Sequence, residues 1–315
     1  GADITPPVIT IDTPSENEIF LAGTAVVSLQ VRTDEAATCQ YSLYPLTGFG
    51  LGQLFNTTGG ENHTADVNVN DGAQYTYFIR GRDEAGNVNP VDTVINFSVA
   101  EPANIVAHYN MNQDFNNVAG TGNNGTPQNG AALVSGGVGL TGQADSQAVS
   151  LDGVNDYVII NNSSTLNINQ NLTLETWVNP NSVSAVDGFL IYKSNAYYLD
   201  GMQSSGGLPH FNVRVKNAWR TLTATQALIA GQWNHVVGTY SASTRTLMIF
   251  INGNPAGSTT LSGLSNYNIN TSSNAVYLGS NGSNYLSGMM DEVRIFNRVL
   301  TDVEISARYN ALKPQ

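Results

Sequence analysis

GMMDEVRIFNRVLTDVEISARYN, Gly288 to Asn310, holds a strand, a turn and a helix in one run, and its reading decides the architecture of the chain. Met289, Val293 and Ile295 alternate with Met290, Arg294 and Phe296 at period two, which predicts a strand with one packed face. Asp291 and Glu292 interrupt the apolar run and, on a regular strand, would point to opposite faces. Thr301-Asp302-Val303-Glu304 is a capping box: each of the Thr301 and Glu304 side chains accepts from the other residue's free backbone N–H. Leu300 and Ile305 stand as a hydrophobic staple. A short helix is expected from Thr301.

Upstream, LMIFINGNPAGS (Leu247–Ser258) is a hairpin, because Asn252-Gly253 tolerates the positive backbone angles of a type I′ turn. SLDGVNDYVII (Ser150–Ile160) reads as two adjoining strands about an Asp-Gly turn, and NLTLETWVNP (Asn171–Pro180) as another. Taken together with the C-terminal run, these stretches resemble the laminin-G-like (concanavalin A-like) jelly-roll domains of secreted proteins, over about Asn104 to Asn310. The resemblance implies a calcium ion between an acidic, Gly-Asn-rich loop and the Asp of the final strand. Here that would join Asp291 to the loop NQDFNNVAGTGNNGT, where Asn112 and Asn117 stand in place of the usual Asp and Asp114 adds a carboxylate. Fewer charged ligands lower the expected affinity. The alternative is a loop held by its own Asx turns.

The first hundred residues alternate in short runs, among them AVVSLQVRT (Ala25–Thr33), YTYFIRGRD (Tyr75–Asp83) and TVINFSV (Thr93–Val99), separated by Gly, Asn, Asp and Pro clusters. That is the pattern of a β-sandwich. TPPVIT, TDEAATCQYSL and DGAQYTYFIRGRDEAGNVN resemble prokaryotic immunoglobulin-like surface-protein modules, over about residues 4–99. The resemblance implies an inter-sheet disulfide from Cys39, but Gly81 occupies the partner's place, so Cys39 is expected to be a core thiol. The turn Asp83 to Asn87 suits a capped turn or, by its carboxylates, a cation. Phe49 and Phe55, in a long Gly-rich insertion, are expected to fold back on the sandwich. The predicted fold class is therefore all-β, with an immunoglobulin-like sandwich over residues 1–101 and a jelly-roll sandwich with one C-terminal helix over 102–315.

Of 315 residues only 11% are charged while 41% are apolar, so the polar surface must be built from Asn, Thr, Ser and Gly, a profile that suits a secreted or cell-surface protein. A net charge of −12 with 12 Lys and Arg disfavours nucleic acid and acidic lipid as partners. No apolar run reaches the roughly 20 residues that a membrane-spanning helix needs.

Glycosidases of the jelly-roll type need two carboxylates projecting together, and their Glu-x-Asp-x-x-Glu run is missing. So are a Gly-x-Ser-x-Gly elbow, a His-Glu-x-x-His helix and a phosphate loop. A non-enzymatic protein is expected. Glu175 and Trp177 share one strand face, as do Trp233 and His235, and could line a sugar-binding sheet, although packing is the favoured role for both tryptophans. Trp219, flanked by Arg214 and Arg220 near a hairpin end, is the leading ligand-binding candidate, with preference for an anionic glycan or, alternatively, a surface cation-aromatic stack. Tyr197, Tyr198 and Tyr285 are secondary candidates, beside Tyr192 and Tyr267. Three functions follow: glycan binding in adhesion, a structural subunit packing against copies of itself in a filament or surface layer, and an accessory domain of a carbohydrate-active enzyme.

Overall fold

The computed structural model describes residues 3–69, 71–100, 102–138, 147–183, 188–201 and 207–314. The chain forms two compact units that divide between Ala103 and Asn104.

In the first unit a three-stranded antiparallel sheet of Ile9–Thr13, Val26–Thr33 and Asn62–Asn68 faces a five-stranded one. The latter runs in the order Glu18–Phe20, Thr93–Val99, Gln74–Asp83, Ala37–Ser42, Gln53–Leu54. Alternation does the packing: Val27, Leu29 and Val31 of the first sheet meet Tyr75, Tyr77 and Ile79 of the second in one core. Phe55 folds into this core and Phe49 lies under the Arg82 guanidinium, as expected of the insertion. Cys39 is a free, fully buried thiol whose pKa burial pushes up to about 12. It lies directly opposite Gly81, but on the neighbouring strand of the same sheet. A bridge at these positions would therefore run within a sheet rather than between sheets.

The second unit is a sandwich of two larger sheets. One runs Ala132–Ser135, Gln147–Asp152, Ser287–Phe296, Asn171–Pro180, Asn234–Ser241, Thr246–Ile251, Asn254–Thr260, with Ile105–Tyr109 also pairing to Ser287–Phe296. The other runs Gly125–Gln128, Tyr157–Ile160, Val276–Leu278, Phe189–Lys193, Tyr197–Asp200, His210–Val215, Ala218–Thr223. Their inner faces interlock in one large core that includes Leu174, Val236 and Ile295 from the first sheet and Ile191, Phe211 and Leu278 from the second. Between them Gly238 is required, since a Cβ there would lie 2.3 Å from the Phe211 ring.

The strand of the opening stretch forms, but not at uniform period two. Opposite Asn171–Pro180 its register slips: Glu175 faces Arg294 while Trp177 faces Asp291, and Glu292 adopts φ +50°. This is a β-bulge, in which one extra residue changes the alternation. Met290 thus joins Val293 and Ile295 in the core, whereas Arg294 and Phe296 point outward. The bulge also corrects the reading of Asp291 and Glu292 as opposed: Asp291 shares the outer face with Trp177, and Glu292 reaches His108 and Arg294 on that face.

The helix Asp302–Leu312 starts as expected, with Thr301 as N-cap and the capping box formed. Leu300 and Ile305 pack with Val237, Phe250 and Phe296 on the outer face of the larger sheet. Asn252 and Gly253 take φ +51° and +75°, as a type I′ turn requires, and a Cβ on Gly253 would meet the Tyr309 ring of the helix at 2.9 Å.

Lys193 ends its strand fully buried, donating from Nζ to Asn162 Oδ1 and to the Asn274 carbonyl, each at 2.6 Å. Burial lowers its pKa from 10.5 to about 8. Between those values the unfolded chain holds the proton that the folded protein has released, so stability rises with pH across the window. Thermal melts from about pH 8 to pH 9, below the tyrosine range, should show that rise, and it should vanish in Lys193→Met. A slope unchanged in the variant would assign it elsewhere.

Candidate functional site

A two-layer sandwich offers two outer faces, and here only one of them is covered by the helix. On the larger sheet, Glu175, Trp177 and His235 are fully buried, with Tyr309 of the helix stacked on Trp177 at 5.7 Å between ring centres. His235 Nε2 lies 2.9 Å from Glu175 Oε1, and Arg308 Nε donates to both Glu175 oxygens at 3.0 and 2.9 Å. Trp177, Glu175 and His235 are therefore packed and paired, which is the role favoured for Trp177. Trp233 is only half-buried and donates from Nε1 to the Gly136 carbonyl.

The outer face of the seven-stranded sheet carries aromatic rings. Strand alternation sends Val158, Leu278, Ile191, Leu199 and Val213 to the core and turns their neighbours outward. Tyr157 meets Tyr277 at 5.4 Å and Tyr285 at 6.3 Å between ring centres. Tyr277 lies opposite Tyr192 in register, and Tyr192 touches Phe189 at 5.2 Å and Tyr198 at 5.8 Å. Tyr198 then meets Trp219 edge-on at 4.8 Å. All but Phe189 are half-exposed.

Between the last two rings runs the strand His210–Val215, which contributes polar groups instead. Asn212 stands opposite Tyr198 and Thr221; its Oδ1 accepts from the Thr221 hydroxyl at 2.5 Å, while its buried Nδ2 has no partner. Arg214 lies opposite Trp219, its guanidinium 5.8 Å from the indole centre and bonded to Asn195 Oδ1, with Nε unpartnered. His210 bonds to the buried Asp200 through both its backbone N–H and Nδ1. That bond to Asp200 raises the imidazole pKa against the opposing effect of burial. Burial, with Asp200 and Tyr192 nearby, pushes the Tyr198 hydroxyl up to about 12, so it stays a hydrogen-bond donor at neutral pH. The face thus pairs apolar ring surfaces with unsatisfied N–H donors.

Among the residues singled out in the sequence, Trp219, Arg214, Tyr198 and Tyr285 come together here. Tyr197 does not: it is fully buried in the core and donates to the Leu166 carbonyl, since it lies out of phase with Tyr198. Arg220 likewise lies out of phase with Trp219, on the side of Leu222 and Tyr240. Tyr267 stacks under Arg245 away from the stripe. With Arg220 turned away, Arg214 is the one of these two cations that lies beside Trp219. Tyr157, Tyr277, Phe189 and Asn212 were not singled out, although the outward phase of Tyr157 was readable from its alternation with Val158.

Of the oxygen set implied for calcium, those of Asp291, Asn117 and Asp114 are otherwise engaged. Asp291 is fully buried, and its carboxylate accepts from the Val138 and Glu292 N–H groups at 2.8 and 2.7 Å. Burial and the adjacent Glu292 carboxylate push its carboxyl well above the ordinary value. Asn117 Oδ1 accepts from the His108 and Ala119 N–H groups, its Nδ2 donates to Val106, Thr121 and Gly122, and Asp114 folds back on Asn116. Asn112 is half-buried, and its N–H reaches Asn110 Oδ1 at 3.5 Å. These residues form a hydrogen-bonded loop, and their set does not fit a calcium ion. Among the described residues, the carboxylates that do lie within 4.8 Å of one another are Asp3, Glu35 and Asp83, in the first unit. There Asp83 also caps its own turn through the Asn87 N–H and Nδ2.

Residues 152–306 match the family model Laminin_G_3, the concanavalin A-like lectin/glucanases superfamily. No curated protein matches the chain. Among solved structures, the binding domain of Paraclostridial Mosquitocidal Protein 1 superposes with a TM-score of 0.52 at 14% identity, over 66% of this chain and 52% of that one. Domain 4 of AbnA, a GH43 extracellular arabinanase from Geobacillus stearothermophilus solved with arabinotriose, gives 0.51 at 20% identity, over 65% and 98%. The binding domain of Botulinum neurotoxin DC, solved with SialylT, gives 0.50 at 15%, over 67% and 52%. This chain spans about half the length of the toxin binding domains it resembles. At these identities the likeness is one of fold.

Proposed function

Because residues 152–306 match the family model of the concanavalin A-like lectin/glucanases superfamily, we propose that this chain is a non-catalytic, extracellular glycan-binding module whose ligand rests on the aromatic face of the seven-stranded sheet. One observation carries the reading: the sheet face that the helix does not cover joins half-exposed rings to the buried N–H donors of Asn212 and Arg214, which lack a hydrogen-bond partner among the described residues. Rings stack on the C–H faces of sugars, and the donors fit hydroxyl oxygens. Similarity in fold to a domain solved with arabinotriose supports the same class of ligand. The first unit serves as an immunoglobulin-like spacer in this reading.

Trp219→Ala should melt as the parent does, since the indole is half-exposed, yet bind glycan at least about tenfold more weakly on an array that the parent protein labels. Undiminished binding would remove this face from consideration. A parent that labels no glycan but forms regular polymers would favour the structural-subunit reading, which draws on Ile19 and Leu21, 69% and 81% exposed at the edge strand Glu18–Phe20 of the first unit.

A further inference from the structure

The aromatic face is extended in one direction. Tyr157 and Trp219 mark its two sides, and their strands are the first and last of six neighbours in the hydrogen-bonded order of the sheet. Five strand spacings amount to ~24 Å. Across that span, rings on Tyr157, Tyr277, Tyr192, Tyr198 and Trp219 follow one another strand by strand, interrupted only where Asn212 and Arg214 place their donors. A terminal sugar needs a pocket that surrounds one ring with polar groups. A stripe of this length instead offers successive stacking platforms to successive sugars, with polar readout concentrated at one position.

Charge narrows the ligand further. Asp200 and His210 are bonded to each other, and Arg214, whose bond to the neutral Asn195 amide leaves its charge in place, stands alone beside the Trp219 indole, so the described strands do not present the row of cations that a polyanionic chain would need. We infer that the stripe binds a neutral linear polysaccharide in mid-chain, with several consecutive sugars laid across the strands from Tyr157 to Trp219. This rests on the glycan-binding reading above. Asn212 Nδ2 and Arg214 Nε are closed off from solvent on the strand between Tyr198 and Trp219, so a sugar reaches them only if a neighbouring side chain shifts.

The test is retention of the full chain on immobilised linear arabinan, β-1,4-glucan, β-1,4-mannan and xylan. Calorimetry then follows with the monosaccharide to the hexasaccharide of whichever polymer retains it. At least one polymer should retain the protein, and affinity should rise by about tenfold or more from monosaccharide to hexasaccharide as further rings are engaged. Tyr157→Ala and Trp219→Ala, at opposite ends, should each weaken the hexasaccharide, while the disaccharide should be indifferent to at least one of them. Equal affinity for monosaccharide and hexasaccharide would overturn the inference, as would a hexasaccharide indifferent to Tyr157→Ala. So would retention by none of the polymers: if the parent still labels terminal or branched glycans on an array, only the mid-chain inference falls, and if the array is blank as well, the glycan-binding reading falls with it.

Discussion

Replacing Glu175 by alanine is expected to lower the unfolding free energy by about 3–5 kcal/mol, the cost of removing one partner from a buried ion pair. Glu175 is fully buried and holds two elements at once: His235 on the neighbouring strand and Arg308 on the C-terminal helix. Alanine would leave the Arg308 guanidinium, whose side chain is only 11% exposed, facing the sheet without this carboxylate. The helix would lose this polar anchor on the sheet, while apolar contacts such as Ile305 and Tyr309 on Trp177 would remain. Urea unfolding followed by circular dichroism measures the loss, and Glu175→Met with Arg308→Met should cost less than the sum of the single changes, because both charges then leave together. Acid should reveal the same pair. Burial opposes ionisation of Glu175, but Arg308, the hydrogen bond with His235 and Arg294 hold its carboxyl well below the usual range. A depressed carboxyl contributes stability that is complete above its ordinary pKa and is lost only as pH falls towards the folded value. The alanine variant should therefore lack that part of the acid sensitivity. A loss under about 1 kcal/mol would show that the pair is as weak as an exposed one.

Trp177→Ala is expected to cost a further, separate 3–5 kcal/mol or so, through the cavity left by a large buried side chain. The indole has no exposed surface and packs among Val138, Leu312, Trp233 and Tyr309, with the His235 ring 5.0 Å away. Its Nε1 has no hydrogen-bond partner among the described residues, so the expected loss is one of packing. For a unit of this size each kcal/mol lowers the melting temperature by roughly 2–4 °C. Calorimetry should show that fall for Trp177→Ala and none of comparable size for Trp219→Ala, with glycan binding responding in the opposite order. A Trp177→Ala protein that melts normally would mean that the helix does not close the outer face of the larger sheet.

How much of this was legible in the sequence depended on the range over which each feature is determined. The capping box at Thr301, the Asn252-Gly253 turn and the strand Asn171–Pro180 with Glu175 and Trp177 on one face are settled by residues within a few positions of one another, and each formed as read. The jelly-roll resemblance was likewise carried by local stretches. Other features needed the partner strands. The bulge at Asp291 and Glu292 arises from the pairing with Asn171–Pro180, more than a hundred residues earlier, and it changes which side chains of the opening stretch reach the core. Whether Trp177 or Trp219 faces solvent is decided by where the helix lands, since both sit on strands and each has a polar neighbour. Arg220 could be set apart from Trp219 only once the strand Ala218–Thr223 was known to include both, because adjacent residues on a strand point to opposite faces. The aromatic stripe draws its rings from strands spread between Tyr157 and Tyr285, brought into one row by the strand order of the sheet. Local periodicity determines which face of a strand a residue takes; which residues of distant strands share that face, and what covers them, is set by register and packing across the whole fold.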